Sequence, residues 1–205
     1  MLVRDPATGG EIDHDTLLRS TYQAAIRIVM RTVVVLYAES RDLLPKSTEP
    51  YYESYSVDYL YQILKEANAS EPMEMGEKSW AWPRLMALFR LVHEGSHHVN
   101  ITVKGYGGVL FKRGDPKSPD PVLRVLAAFE DNVWKIGDDT IYDVLRLLKT
   151  GKVKAKQGRA SKWIEGPVDF SDLRTEYIGM MYEGLLDYQL REVTPEEEVV
   201  VFLNI

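Results

Sequence analysis

A long buried helix is predicted by the stretch DTLLRSTYQAAIRIVMRTVVVLY, which spans residues 15–37. Its apolar residues recur every three or four positions, as they do on one face of a helix. Asp13 or Asp15 is placed to cap the first turn, and the pattern ends at Leu44, before Pro45. Three successive valines, 33–35, favour a strand locally, so tertiary burial must decide in favour of the helix.

Working outward from this stretch, helical spacing and capping residues predict several further helices. They open at Ser56, Pro83, Pro121, Asp138 or Asp139, and Ser171. Short strands are predicted at 101–103, 153–155 and 199–203, and the first two are the candidate pairing partners of the third. The sequence therefore predicts a mainly α fold, a multi-helix domain with a few short β-strands.

One connector domain is predicted over residues 1–205. Its parts are an irregular lead-in at 1–12, a helical body at 13–149, a basic loop at 150–168, a long helix at 169–191 and a tail with a strand at 192–205.

Composition excludes several classes of protein. The chain has no cysteine, which excludes a disulfide scaffold and a thiolate zinc site and fits a cytoplasmic protein. Its most apolar stretch, residues 26–37, is short and contains Arg27 and Arg31, so no membrane span is predicted. The net charge of -6 implies that any contact with DNA comes from a local basic patch.

Such a patch begins near the end of the helix that is predicted to open at Asp138 or Asp139. No acidic residue occurs between 146 and 162. Its basic residues are Arg146, Lys149, Lys152, Lys154, Lys156, Arg159 and Lys162. In an extended chain, Lys152, Lys154 and Lys156 alternate and so share one face. One interpretation is contact with DNA phosphates, which positions a protein without reading sequence. The other is a solvated surface loop.

The most specific catalytic pattern is His93-Glu94-Gly95-Ser96-His97. Two histidines one helical turn apart, with a glutamate between them, form the short string of zinc hydrolases. Gly95 lies where the helix is predicted to end, and no third ligand follows on a helix. We therefore expect no metal site here and rank a zinc hydrolase last among the alternatives.

Three other patterns are given structural interpretations. Gly105 to Gly108 lacks the lysine and hydroxyl residue of a phosphate loop, so a tight turn is expected. Glu39, Arg41 and Asp42 are expected to form ion pairs rather than to do acid–base work. The Asp-Pro-Lys string at 115–117 has the closing spacing of a nuclease motif but lacks its acidic partner, so no nuclease is predicted.

Four blocks of sequence occur in an order that resembles a known family. They are LYAESRDLLP at 36–45, Tyr51 with YSV at 55–57, GYGGVLF at 105–111, and YIGMMYEGLLDY at 177–188. Together, from about Leu17 to Leu190, they resemble the helical region ahead of the catalytic core in adenine-specific DNA methyltransferases. The similar proteins are the fused type IIG restriction–modification enzymes and BREX-like phage-defence methylases, and the last block is the most specific.

The resemblance implies a parent enzyme that binds S-adenosylmethionine on a glycine-rich loop. It also implies an Asn/Asp-Pro-Pro-aromatic motif that holds the flipped adenine. Neither motif occurs here, because Asp120-Pro121-Val122-Leu123 lacks the second proline and the aromatic residue. Lys112 and the pair at 180–181 also depart from the family pattern.

We therefore expect no catalytic or cofactor-binding residue in this chain, which would be a fragment that ends before the cofactor site. The resemblance implies double-stranded DNA and a methyltransferase core as its partners. The leading alternative is a stand-alone helical module that binds DNA or a protein.

Overall fold

Helices dominate the protein, as the sequence predicts. The computed structural model describes residues 2–132, 135–157, 160–190 and 202–204, with the backbone alone at 153–157, 160–165 and 202–204. Helices make up more than half of the structure, and every sheet within these residues is an antiparallel pair of strands. The mainly α fold class with a few short strands is therefore confirmed.

The elements follow one another along the chain with mostly short connections. In order, they are β1 Leu2–Arg4, β2 Glu11–Asp13, α1 His14–Ser40, α2 Glu49–Ser54, α3 Val57–Ser70, α4 Ala81–Glu94, β3 Ser96–His98, β4 Ile101–Val103, α5 Gly108–Phe111, α6 Pro121–Glu130, α7 Asp138–Lys149, β5 Thr150–Gln157, β6 Ala160–Pro167, α8 Thr175–Leu186, β7 Tyr188–Leu190 and β8 Phe202–Asn204. Single 3₁₀ turns lie at Pro72–Glu74 and Phe170–Asp172.

Two compact units divide the chain, where the sequence predicts one domain. The terminal unit comprises residues 1–31, 107–135 and 174–205, and the central unit comprises residues 32–106 and 136–173. Helix α1 contributes its first part to the terminal unit and its last part to the central unit. Hydrophobic periodicity shows which residues are buried but not which core they enter, so this division leaves no mark in the sequence pattern.

Each unit has its own buried apolar residues. In the terminal unit they are Ile12, Ala24, Ile26, Ile28, Met30, Phe111 and 125–128. The central unit is larger: α3 and α4 both pack against α7, and its buried residues include Tyr51, Leu60, Leu64, Trp82, Leu88, Ile141 and Leu145. Among the helices that the structure describes, none has both the length and the apolar character needed to cross a membrane.

Local chemistry fixes several helix ends where the sequence predicts them. Asp13 caps α1, because its carboxylate accepts the Thr16 N–H at 3.1 Å. Asp120 caps α6 through the Val122 N–H at 2.9 Å. Gly95 ends α4 with a φ of +79°, a conformation that favours glycine.

Helix α1 ends at Ser40, four residues before the predicted Leu44. Asp42 adopts a left-handed conformation with a φ of +53°, and the Leu43 N–H turns back to the Ala38 carbonyl at 2.9 Å. This bond is the one that closes a helix in a Schellman motif, so the turn stops α1 before Pro45 can do so.

Strand pairing differs from the prediction in three places. Strand β8, Phe202–Asn204, pairs with β7, whereas β4 pairs with β3 and β5 with β6, so neither candidate partner, 101–103 or 153–155, pairs with it. Residues 199–201 of the predicted strand lie outside the described residues. The lead-in forms the β1–β2 hairpin instead of an irregular segment, whereas the basic segment at 150–168, for which a loop or a ribbon is expected, is largely a ribbon of β5 and β6. The long helix expected at 169–191 is reduced to α8, with a 3₁₀ turn before it and β7 after it. In each case a strand finds its partner a short distance along the chain, which periodicity alone does not reveal.

Candidate nucleic-acid interface

The β5–β6 hairpin is the longest strand pair that the structure describes. Its register joins eight residue pairs, from Thr150 opposite Pro167 to Gln157 opposite Ala160. At about 3.3 Å per residue, the ribbon extends roughly 25 Å. It begins directly after α7, and the Val168 N–H donates to the Lys149 carbonyl at 2.9 Å, which closes its base.

Four of the seven predicted phosphate-binding residues lie on this hairpin. Lys152, Lys154 and Lys156 occupy alternate positions of β5, opposite Glu165, Trp163 and Ser161, and Lys162 lies on β6. Alternate positions belong to one face of a strand, so the spacing expected for an extended chain is present in the backbone. Arg159 lies outside the described residues.

The other two predicted residues, Arg146 and Lys149, have carboxylate partners on the helices. Arg146 lies 3.3 Å from Asp143 within α7, at an exposed position. The Lys149 ammonium donates to Asp58 and lies 5.6 Å from the centre of the Tyr61 ring. These contacts reduce the charge that the two residues can offer to a phosphate, so the basic character is concentrated on the hairpin.

Asp58 anchors the base of the hairpin. Its two carboxylate oxygens accept hydrogen bonds from Lys46 and Lys149, so it joins the start of α3 to the end of α7. Burial by itself would raise the pKa of Asp58, but the hydrogen bonds from Lys149 and Lys46 outweigh it and hold the pKa below its ordinary value. Asp58 is therefore ionised at neutral pH and fixes the point from which β5 departs.

Glu39 is a buried carboxylate whose role is structural. One oxygen accepts the Tyr51 hydroxyl and the Val57 N–H, both at 3.0 Å, and the other accepts the Ser56 hydroxyl at 3.2 Å. Burial raises the pKa of Glu39, and the hydrogen bonds from Val57 and Tyr51 oppose that shift in part. Because Val57 is the first residue of α3, Glu39 caps this helix from α1, which Ser56 does not do.

The neighbours of Glu39 in the predicted cluster do not join it in a catalytic arrangement. The Arg41 guanidinium lies 5.6 Å from the centre of the Tyr37 ring, and Asp42 forms the turn that ends α1. The three residues therefore form a buried cap, a cation–π contact and a turn.

The zinc-type string is divided between two elements. His93 lies in the last turn of α4, whereas His97 lies in β3, because Gly95 ends the helix between them. A Cβ at Gly95 would lie 2.5 Å from the Gly105 nitrogen and 2.7 Å from the Val103 carbonyl oxygen. The glycine is thus required where β4 approaches the end of α4. Among residues that the structure describes, no group of three or more His, Asp or Glu side chains is arranged to hold a metal.

The glycine-rich string at 105–108 connects β4 to α5, and residues 105–107 are irregular. Gly107 and Gly108 have φ values of +59° and +80°, and α5 begins immediately there. The Tyr106 hydroxyl donates to the Leu43 carbonyl at 2.9 Å, which joins this connection to the segment that follows α1 in the central unit. At 115–117, the Asp115 carboxylate accepts the Lys117 N–H at 2.9 Å, which makes the string a local turn.

No family model matches this chain, and neither a curated protein nor a solved structure is significantly similar to it. Sequence reasoning identified the basic segment but missed Asp58, which anchors it from 91 residues away along the chain. No local pattern signals such a contact.

Proposed function

We propose that this chain is a non-catalytic connector of an S-adenosylmethionine-dependent, adenine-specific DNA methyltransferase in a restriction–modification or phage-defence system. In this proposal it positions the methyltransferase core on double-stranded DNA. The order of the four sequence blocks supports the family, and the helical fold agrees with the helical region of such enzymes. The parent enzyme would bind the cofactor and act in the cytoplasm.

The basic β5–β6 hairpin is the observation that supports the DNA-binding part of the proposal. Five basic residues lie between 152 and 162, with no acidic residue among them, in a chain whose net charge is -6. A two-stranded ribbon is narrow enough to lie along a groove of DNA, and lysines at alternate positions match contacts to successive phosphates. Such contacts set position and orientation without reading bases.

Charge reversal in the hairpin tests this part. The variant Lys154→Glu/Lys156→Glu should weaken binding to double-stranded DNA at least tenfold and reduce the slope of log K against log salt by about 2, one for each lost phosphate contact. The control variant Lys65→Glu/Lys117→Glu changes the net charge equally at exposed positions of α3 and the loop before α6. Equal losses in both variants would indicate general electrostatics and contradict a contact at the hairpin.

The methyltransferase part has a separate test. Reading the gene beyond the codon for Ile205 should reveal a glycine-rich cofactor loop followed by an Asn/Asp-Pro-Pro-aromatic motif. A stop codon at that position would contradict this part of the proposal and favour the stand-alone module.

A further inference from the structure

Helix α8 has an apolar face that remains exposed. Met180 and Met181 lie three and four residues after Tyr177, and Gly184 lies four and three residues after them, which places all four on one side of the helix. Met180 is 62% exposed and Tyr177 is 48% exposed. No residue of α8 is buried. An amphipathic helix is normally stabilised by burying such a face, so this surface is typical of an interaction site.

An apolar groove lies beside α8 in the terminal unit. It has a volume of about 540 Å³ and is lined by Thr21, Tyr22, Ala25, Ile26, Val29, Leu185, Tyr188 and Leu190. The Tyr22 hydroxyl already donates to the Leu185 carbonyl at 2.7 Å. A groove with so few polar groups offers little to orient a polar metabolite, but it suits apolar side chains that project from a protein.

A glycine on the apolar face of α8 also indicates a close partner. Glycine lowers helix stability relative to alanine, yet both Gly179 and Gly184 lie inside this helix. At neither position would a Cβ meet any atom within 4 Å. Packing among the described residues therefore gives no reason for them. Gly184 lies on the apolar face, where a missing side chain lets a second helix approach closely.

The charges along one edge of this face identify the chemistry of the partner. Glu176, Glu183 and Asp187 are spaced by seven and four residues, are exposed, and form a line beside the apolar residues. No lysine or arginine occurs between 175 and 187. A second copy of α8 would place acid against acid, and an anionic lipid surface would be repelled. A partner with basic flanks would be attracted.

We propose that α8 and the adjacent groove bind an amphipathic helix of another polypeptide segment, one whose apolar face is flanked by lysine or arginine. The apolar side chains of this helix enter the groove, and its basic flank faces Glu176, Glu183 and Asp187. The two methionines on the surface adapt their shape to the partner. This binding site is independent of the basic hairpin, which lies in the other unit.

Two synthetic helical peptides of about 18 residues test the proposal with the full chain. They share one leucine-rich face and differ only in their flanks, which carry lysine in one peptide and glutamate in the other. By fluorescence anisotropy, the lysine peptide should bind roughly tenfold more tightly, or more. The variant Glu176→Lys/Glu183→Lys/Asp187→Lys should reverse this preference. Equal binding of both peptides, or binding of neither, would overturn the proposal.

A pair of glycine variants provides the matched control. Both Gly184→Ala and Gly179→Ala should raise Tm, because alanine favours an exposed helix. Only Gly184→Ala should weaken binding of the lysine peptide, since Gly179 lies away from the apolar face.

Sedimentation tests whether a second copy of this chain occupies the surface instead. A dimer that Met180→Lys dissociates would overturn the proposal in favour of a second copy.

Discussion

The Arg31 guanidinium lies 2.7 Å from the Glu130 carboxylate, and the two side chains are only 1% and 6% exposed. Two further hydrogen bonds, both 2.7 Å long, join Arg31 to the carbonyls of Leu110 and Lys112. Glu130 in turn accepts the Gly114 N–H at 3.0 Å. This buried pair therefore holds the segment from α5 to the following loop between α1 and α6.

Removal of Arg31 should destabilise the protein strongly. Arg31→Met leaves the Glu130 charge buried without its main partner, so we expect a loss of about 4 kcal/mol in the free energy of unfolding. Arg31→Lys keeps the charge but cannot reach all three acceptors, and it should cost about 2 kcal/mol. Urea denaturation measures both values. Arg113→Met is the control, because Arg113 is 52% exposed and 3.5 Å from Glu130, and it should cost less than about 1 kcal/mol.

The contribution of Glu39 to the free energy of unfolding should fall as the pH rises. Its folded pKa is raised above its unfolded value, so the folded state holds the proton more tightly. The stability from this protonation is complete below the unfolded pKa of about 4.3 and is lost as the pH rises through the folded pKa. Glu39→Gln should remove this dependence and match or exceed the wild type at neutral pH.

The variant Glu39→Ala distinguishes the loss of the helix cap from the loss of the charge. It leaves the Tyr51 hydroxyl and the Val57 N–H without their buried acceptor, so a loss of about 2 kcal/mol is expected at every pH. Urea denaturation from pH 4 to pH 8 compares the variants. An identical pH profile for Glu39→Gln and the wild type would show that this carboxyl does not titrate in that range.

Asp58 should have the opposite pH dependence. Its pKa is lowered in the folded state, so its contribution is present above the unfolded pKa of about 3.9 and is lost as the pH falls through the folded pKa. Asp58→Asn loses the ionic part of its contacts with both Lys46 and Lys149 and should cost about 2 kcal/mol at neutral pH, since these groups are only partly exposed.

The exposed pair of Lys78 and Glu71 is the control for Asp58. These groups are 2.8 Å apart, but their side chains are 40% and 55% exposed, so solvent screens the pair and Glu71→Gln should leave the free energy of unfolding almost unchanged. If Asp58→Asn cost no more than Glu71→Gln, the anchor at the base of the hairpin would be of no consequence for stability.

Sequence predicts this fold wherever the decisive contact is local. Asp13, Asp120 and Gly95 act on residues close to them, and the structure confirms all three helix ends. Two other helices are capped from a distance. Glu39 caps α3, and Asp138 caps α4 by accepting the Ala81 N–H at 2.9 Å across 57 residues.

The same limit applies to the candidate site. Charge runs are visible in sequence, so the basic segment was found. The tertiary contact between Lys149 and Asp58 is not visible, because it depends on the packing of α3 against α7. Nor does spacing show that β5 and β6 pair with each other, since both a solvated loop and a ribbon have this composition.

The string at 93–97 permits a last prediction, which separates a structural role from a metal-binding one. Gly95 has a φ of +79° and a ψ of −177°, a region open essentially to glycine, and its Cβ position is occupied by the backbone near Gly105. Gly95→Ala should therefore cost about 3 kcal/mol in unfolding free energy. His97→Ala changes an exposed side chain on β3 and should leave the free energy of unfolding within about 0.5 kcal/mol of the wild type.

A metal site that uses His93 and His97 predicts a different result. Protein purified without a histidine tag would then contain stoichiometric zinc, and His97→Ala would lose both the zinc and stability. Elemental analysis and urea denaturation of the two variants distinguish these outcomes.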